Sequence, residues 1–256
     1  RMVDHYGLTD IGRRRSLNED TIYAHDRLFL VCDGMGGHKA GEVASKLAVD
    51  AIAGFIRRSE ADPEMTWPYG FNTLLSYDEN RLVTAIKLAN RAVFRNAASS
   101  DDYTGMGTTV VAAMVSARSM EVTYAHVGDS RLYVIRADSV QQLTRDDTWA
   151  NLAVGGDVES TASMKNVLTK ALGAREDVDF DVTRRALEDG DLILLCSDGL
   201  TNMLSDERIL DITTARSSDL EAACHDLVAA ANEQGGRDNI SVVLVHATAP
   251  KRPPGG

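Results

Sequence analysis

The chain has 256 residues, with 27 Lys and Arg against 38 Asp and Glu, a formal net charge of −11, and 44% apolar residues. That length and composition suit a globular protein with a sizeable core and exclude wholesale disorder. The acid surplus argues against nucleic-acid binding, which needs a basic face, and the longest apolar run, Val110 to Val115, is too short to span a bilayer.

Arg1 ahead of Met2 reads as a remnant or as a domain cut from a longer chain. No basic–apolar–small leader follows, so a cytoplasmic protein without membrane insertion is the expectation. Thr21–Ala24 and Leu28–Cys32 read as strands. From Val43 to Ile56 apolar residues recur at helical spacing. Asp62 to Asp78, with Pro63, Trp67, Pro68 and Gly70, reads as an ordered loop. Leu82, Ile86, Ala89 and Val93 make a second helical stripe. Thr108–Val115, Val122–Val127 and Arg131–Ile135 read as strands, the last two joined by the tight turn Gly128-Asp129-Ser130. Asp146 to Lys165 is irregular, with Gly155-Gly156 at its middle. Next come a strand at Leu192–Cys196 and a helix after Ser205. A further helix opens on the capping-box pattern Ser218-Asp219-Leu220-Glu221 and stops at Gly235, and a last strand runs Ser241–Val245.

Many of these strands are apolar on both faces, yet tight turns make them antiparallel. Two stacked sheets with helices outside them satisfy both features. No internal linker is evident, so one domain is expected over residues 1–249, with a flexible Pro/Gly tail at 250–256. Cys32, Cys196 and Cys224 show no zinc spacing. Cys32 and Cys196 end apolar runs and read as buried thiols.

Several apolar strands terminate in an aspartate. Leu28–Cys32 runs into Asp33-Gly34, Leu192–Cys196 into Ser197-Asp198-Gly199, and Val122–Val127 into Gly128-Asp129, while Asp238-Asn239 precedes the last strand. Each alone is an ordinary turn. Together they put four carboxylates at strand ends of one sandwich, and clustered carboxylates repel unless a cation neutralises them. Glu19-Asp20 adds acid before Thr21–Ala24. Oxygen-only ligands select hard cations such as Mg²⁺ or Mn²⁺. Arg15, five residues before Asp20, has the side chain suited to phosphate capture, although Arg13, Arg14 and Arg15 on composition alone read as a solvated basic turn. The stretch Asp33 to Glu42 is glycine-rich. A Walker loop fails there because Glu42 replaces its lysine, and a dinucleotide fingerprint fails because Lys39 fills its third glycine position.

These residues resemble a known family, the metal-dependent Ser/Thr protein phosphatases of the protein phosphatase 2C type. The motifs are Arg15-x-x-Asn18-Glu19-Asp20, Val31-Cys32-Asp33-Gly34-Met35-Gly36-Gly37-His38, Gly107-Thr108-Thr109, Val127-Gly128-Asp129-Ser130-Arg131, Leu168-Thr169-Lys170-Ala171-Leu172-Gly173, Gly190-Asp191 through Ser197-Asp198-Gly199-Leu200, and Gly236-Arg237-Asp238-Asn239-Ile240-Ser241. They stand in the family's order from about Asp4 to about Thr248, and Met35 with His38 is similar to bacterial members. The resemblance implies an α+β fold, a four-layer α-β-β-α sandwich of two antiparallel sheets flanked by helices. It implies two Mn²⁺ or Mg²⁺ ions. Asp33 would bridge them, with the Gly34 carbonyl and Glu19 on one side and Asp198 and Asp238 on the other. Asp129 with Asp198 would support a third ion. Arg15 would bind the substrate phosphate and Asp20 would orient metal-bound water. A metal-bridged hydroxide would then attack phosphorus in line, releasing phosphate from phosphoserine or phosphothreonine in proteins.

Met35 stands where animal members place a histidine, so the candidate proton donor to the leaving alkoxide is His38 or a metal-bound water. Asp146-Asp147-Thr148 departs from the family's Asp-His-Ser, and a flap over about 148–166 lines the substrate side in the family. The implied partners are phosphoproteins, a cognate Ser/Thr kinase and its targets, served by a monomer. A catalytically silent phosphoprotein-binding scaffold on the same fold is the alternative. It would be expected to lack one or more metal carboxylates, and Glu19, Asp33, Asp198 and Asp238 are all present.

Overall fold

The structure, a computed structural model, describes residues 3–37, 39–152 and 167–249. Three strands, β1 (Asp4–Asp10), β2 (Asp20–His25) and β3 (Leu28–Met35), lead into two long helices, α1 (Ala40–Ala61) and α2 (Tyr77–Ser99). β4 (Gly107–Thr108), β5 (Val110–Ser116), β6 (Glu121–Val127), β7 (Arg131–Arg136) and β8 (Ser139–Gln142) follow, then the short α3 (Trp149–Leu152). The chain ends through β9 (Val182–Ala186), β10 (Leu192–Cys196), the four-residue α4 (Asp198–Thr201), α5 (Asp206–Ala215), α6 (Leu220–Glu233) and β11 (Ile240–His246).

One sheet has the order β1-β11-β10-β7-β8. The other runs β2-β3-β5-β6-β9, with β4 beside β3. The ladders are antiparallel. The two-faced apolar strands explain the layering. In β3, Leu28, Leu30 and Cys32 pack against α1 and α2, while Phe29 and Val31 on the opposite face meet the other sheet. In β10, Leu192, Leu194 and Cys196 face α4, α5 and α6, while Ile193 and Leu195 face inward. The three apolar clusters are thus the three spaces of an α-β-β-α sandwich. Each fully buried Leu or Phe in them contributes roughly 2 kcal/mol.

The helices follow the expected stripes with shifted ends. The segment expected to be loop through Asp78 ends sooner, because Ser76 caps α2. Its hydroxyl accepts from the Glu79 amide and the Glu79 carboxylate accepts from the Ser76 amide, a full capping box. Asp78 then ties this first turn to the β2–β3 turn through Arg27 at 2.6 and 2.7 Å, and also pairs with Arg81. The capping box expected at Ser218 does not form. Asp219 is the cap, accepting from the Ala222 amide, and α6 starts one residue later. Cys32, Cys196 and Cys224 are buried and free. Burial pushes the Cys196 and Cys224 thiols up to about 12 and raises that of Cys32 as well, so none is poised as a nucleophile.

One connection differs in kind from its expectation. Gly128-Asp129-Ser130 is not a hairpin turn. β6 pairs with β5 and β9, whereas β7 pairs with β10 and β8. The turn is a corner that carries the chain from one sheet to the other. Gly128, at φ +107°, makes the bend with its α-carbon against Thr109, where a Cβ would sit 2.7 Å from the threonine methyl. The β1–β2 connection crosses between the sheets in the same way. Both crossings carry predicted site residues.

Candidate metal centre

The predicted carboxylates come from five places. Glu19 and Asp20 end the β1–β2 crossing. Asp33 and Gly34 lie near the end of β3, Asp129 in the β6–β7 corner, Asp198 at the start of α4 and Asp238 just before β11. Antiparallel pairing sets Asp20 directly opposite Asp33. Asp33 is the hub. It lies within hydrogen-bonding reach of both Asp20 and Asp198, and the charges of Asp238 and Asp129 also bear on it.

Small polar residues hold the acids in place. Asp20 Oδ2 accepts from Ser197 Oγ at 2.9 Å and from Ser241 Oγ at 2.6 Å. The Glu19 amide donates to Asn239 Oδ1, and Asn239 Nδ2 donates to the carbonyls of Ile11 and Leu17, so one side chain braces the whole crossing loop. Thr109 interrupts the expected strand Thr108–Val115 and splits it into β4 and β5. Its hydroxyl accepts from the Asp33 amide, its amide donates to the Asp33 carbonyl, and the hydroxyl also meets Ser130 Oγ beside Asp129. The expectations named Asn239 and Thr109 in motifs but gave them no task. Their signal was position alone, each being adjacent in sequence to a carboxylate or to a paired strand end.

Close approach is built in with glycine. A Cβ on Gly34 would lie 1.9 Å from the Gly41 carbonyl oxygen, and one on Gly41 would lie 2.4 Å from Glu19 Oε1. The start of α1 therefore rests directly on the end of β3 and on the Glu19 carboxylate. Gly34→Ala is expected to cost about 3 kcal/mol or more, because backbone and not a flexible side chain must move. A thermal melt checks this, and an unchanged midpoint would contradict the packing.

Burial raises the carboxyls of Glu19, Asp20, Asp33, Asp129 and Asp198. Asp20 is pushed up to about 6 and Asp129 to about 7, the latter also by the charges of Asp198 and Asp146. Asp33 is raised well above the carboxylate range by burial and by four neighbouring aspartates, and Glu19 and Asp198 are raised as well. Among the described residues no three His, Cys, Asp or Glu side chains close into one ligand shell; the acids are close neighbours linked in pairs. Three of their oxygens nevertheless lack any hydrogen-bond partner while buried: Glu19 Oε1, Asp20 Oδ1 and Asp198 Oδ1. Buried carboxylate oxygens left unpaired and crowded by like charge call for positive charge. All are hard oxygen donors, so the set fits Mg²⁺ or Mn²⁺.

Arg15 is the one arginine of its triplet that reaches this cluster, with Nη2 2.7 Å from Asp238 Oδ2. Other acids of the motifs turn out to be braces. Asp146 takes a bidentate contact from Arg131, Asp147 accepts from the Gly128 amide, and Asp191 is clamped by Arg136. His38 and residues 153–166 of the expected flap lie outside the described residues, as does the tail at 250–256.

A two-sheet sandwich with paired acids at the seam, braced by hydroxyls and flanked by an arginine, is the frame of a metal-dependent phosphatase. The chain belongs to the protein phosphatase 2C family, whose profile matches residues 13–243. It is 37% identical over 249 residues to the serine/threonine phosphatase stp of Listeria welshimeri, covering 93% of each chain. Among solved structures, the serine/threonine phosphatase of S. agalactiae superposes with a TM-score of 0.81 at 34% identity, over 97% of this chain and all of that one. The catalytic domain of the serine/threonine protein phosphatase PstP, solved with two manganese ions, gives 0.79 at 33% identity, over 96% of this chain and 99% of the other. No helix among the described residues is long and apolar enough to cross a membrane.

Proposed function

We propose that this chain hydrolyses phosphoserine and phosphothreonine monoesters in proteins. The observation that carries the reading is the set of buried, unpaired carboxylate oxygens gathered around Asp33 beside Arg15. Glu19, Asp33 and the Gly34 carbonyl would hold one divalent cation, Mn²⁺ or Mg²⁺. Asp33, Asp198 and Asp238 would hold a second, and Asp129 with Asp198 a third. When bound, such ions neutralise phosphoryl oxygens and acidify a water for in-line attack on phosphorus.

The chain's own residues do the rest. Arg15 spends one nitrogen on Asp238 and keeps the others for the phosphate oxygens, where charge grows in the transition state. Asp20 has Oδ2 committed to Ser197 and Ser241, so Oδ1 is the atom left to orient the attacking water. His38 is the proposed donor of a proton to the departing serine or threonine oxygen. The buried thiols take no part. Presence of every acid weighs against a silent scaffold. The proposed setting is a monomeric, cytoplasmic domain over residues 1–249 that acts on the targets of a Ser/Thr kinase.

The test is phosphate release from a phosphothreonine peptide with excess Mn²⁺, with chelator, and with Asp198→Asn under excess Mn²⁺. Release that needs metal and falls about a hundredfold or more in the variant is the expected result. A folded, Mn²⁺-binding protein that releases nothing from several peptides would transfer the reading to the scaffold.

A further inference from the structure

Next to Arg15 the surface opens into a cleft of about 500 Å³ lined by Arg13, Arg14, Asn232, Glu233 and Gly235. Its position is fixed by backbone. The Arg13 amide donates to the Gly236 carbonyl at 2.7 Å, Arg13 Nε donates to the Asn232 carbonyl at 2.9 Å, and a Cβ on Gly12 would lie 2.2 Å from the Asp238 carbonyl oxygen. The Arg13–Arg15 turn is thereby docked on the loop that delivers Asp238. Arg237 extends this surface, its side chain lying against Gly235.

The charge here runs against the rest of the molecule. The chain carries −11 overall, yet Arg13, Arg14 and Arg237 are exposed and gathered on one rim, and among the described residues lining the cleft Glu233 is the only acid. Arg27, Arg81, Arg131 and Arg136 each hold a carboxylate. Among the described residues Arg13, Arg14 and Arg237 form no salt bridge. Guanidinium forks left with open donors suit carboxylate or phosphate. Arg14 is one residue from Arg15, so their α-carbons are about 3.8 Å apart. A peptide whose phosphate meets Arg15 would need to extend only one to three residues, at about 3.3 Å each, to bring a second anion to this rim.

We propose that this cleft is an anion subsite that selects phosphoproteins carrying a second negative side chain, a carboxylate or a further phosphate, within about three residues of the phosphoserine or phosphothreonine. The subsite rests on the phosphatase reading for its orientation. Glu233 lowers its pull on dense negative charge and leaves room for one anion.

Binding and turnover test it separately. Labelled peptides carry a non-hydrolysable phosphonate in place of the phosphate, flanked by alanines, by glutamates or by a second phosphoserine. Fluorescence anisotropy is read on the Mn²⁺-loaded protein at about 50 mM and about 500 mM salt. The expected result is a 5- to 10-fold tighter Kd for one or both anionic peptides, shrinking at high salt and lost in Arg14→Gln/Arg237→Gln. Which anionic peptide gains identifies the anion. Hydrolysis of p-nitrophenyl phosphate, too small to reach the cleft, is expected to be unchanged in the variant. Equal Kd values for all three peptides, or an anionic preference that survives in the variant, would overturn the subsite while p-nitrophenyl phosphate turnover leaves the phosphatase reading standing. An anionic preference without turnover of any substrate would keep the subsite and remove the phosphatase reading.

Discussion

Asp33→Asn is expected to give a protein that melts higher than the parent in chelator and is nearly inert in Mn²⁺. Four other aspartates press their charge on Asp33, and burial adds to that pressure. Asparagine removes the central charge, keeps the shape, and offers an N–H to Asp20 and Asp198, which stand within hydrogen-bonding reach. A gain of about 1–2 kcal/mol, or about 3–6 °C, follows for the chelated protein. Loss of the proposed bridging ligand would reduce Mn²⁺-dependent phosphate release by about a thousandfold. Paired melts and initial rates check both halves. A lower melting point in chelator would show that the acid cluster is not a source of strain, and turnover within tenfold of the parent would remove Asp33 from its proposed role.

The second large effect is a pH dependence opposite to that of most folded proteins. Burial lifts Asp20 from 3.8 to about 6 and Asp129 to about 7. Between pH 4 and 7 the folded chain without metal therefore binds more protons than the unfolded chain, and its stability falls as pH rises across that window. Asp20 alone accounts for a loss on the order of 3 kcal/mol. The loss runs on through the Asp129 value to about pH 8, and Asp33, raised well above the carboxylate range, extends it in the same sense. Asp78 and Asp191, which hydrogen bonds from arginines and backbone hold below the usual range, act in the other sense but only under pH 4. Divalent cations bound at the proposed site would displace these protons, so the stabilisation by Mn²⁺ should grow between pH 5.5 and 8. Calorimetric scans with Mn²⁺ and with chelator at several pH values measure it. A chelated melting point that stays level across the window, or a Mn²⁺ shift equal at both ends, would count against a buried acid cluster as the cation site.

The sequence was most readable where strands are buried on both faces. The apolar runs of β3, β5, β10 and β11 mark themselves, and the aspartates that follow or precede them stand out by contrast. β1, β8 and β9 went unread, and each lies at the edge of a sheet. Segments such as Asp4–Asp10, Ser139–Gln142 and Val182–Ala186 have one neighbour and partly exposed faces, so nothing in their composition demands a strand. The β6–β7 corner misled for a different reason. A Gly-Asp-Ser turn specifies a sharp reversal but not which sheet the next strand joins, a choice made by the packing of Val127 and Leu132. The metal-ligand candidates were legible because the same aspartate recurs beside several apolar strands, although each alone is an ordinary turn residue. Ser197, Ser241, Thr109 and Asn239 were not, since small polar residues near turns are common and only contact distances show that these grip Asp20, Asp33 and Glu19.

β1 finds its sheet partner in β11, with Asp4 opposite His246 and Asp10 opposite Ile240. During synthesis β1 must therefore wait for β11. Until Asp238 and the residues through His246 have left the ribosome, β1 has no ladder to join, Ser241 cannot grip Asp20, and Asn239 cannot brace the loop bearing Arg15 and Glu19. A nascent chain thus holds Asp33 and Asp198 with no assembled centre to receive an ion. Such long-range closure is slow compared with local folding. On the proposed reading, phosphatase activity would appear abruptly once β11 has been synthesised, and products truncated ahead of β11 would have none.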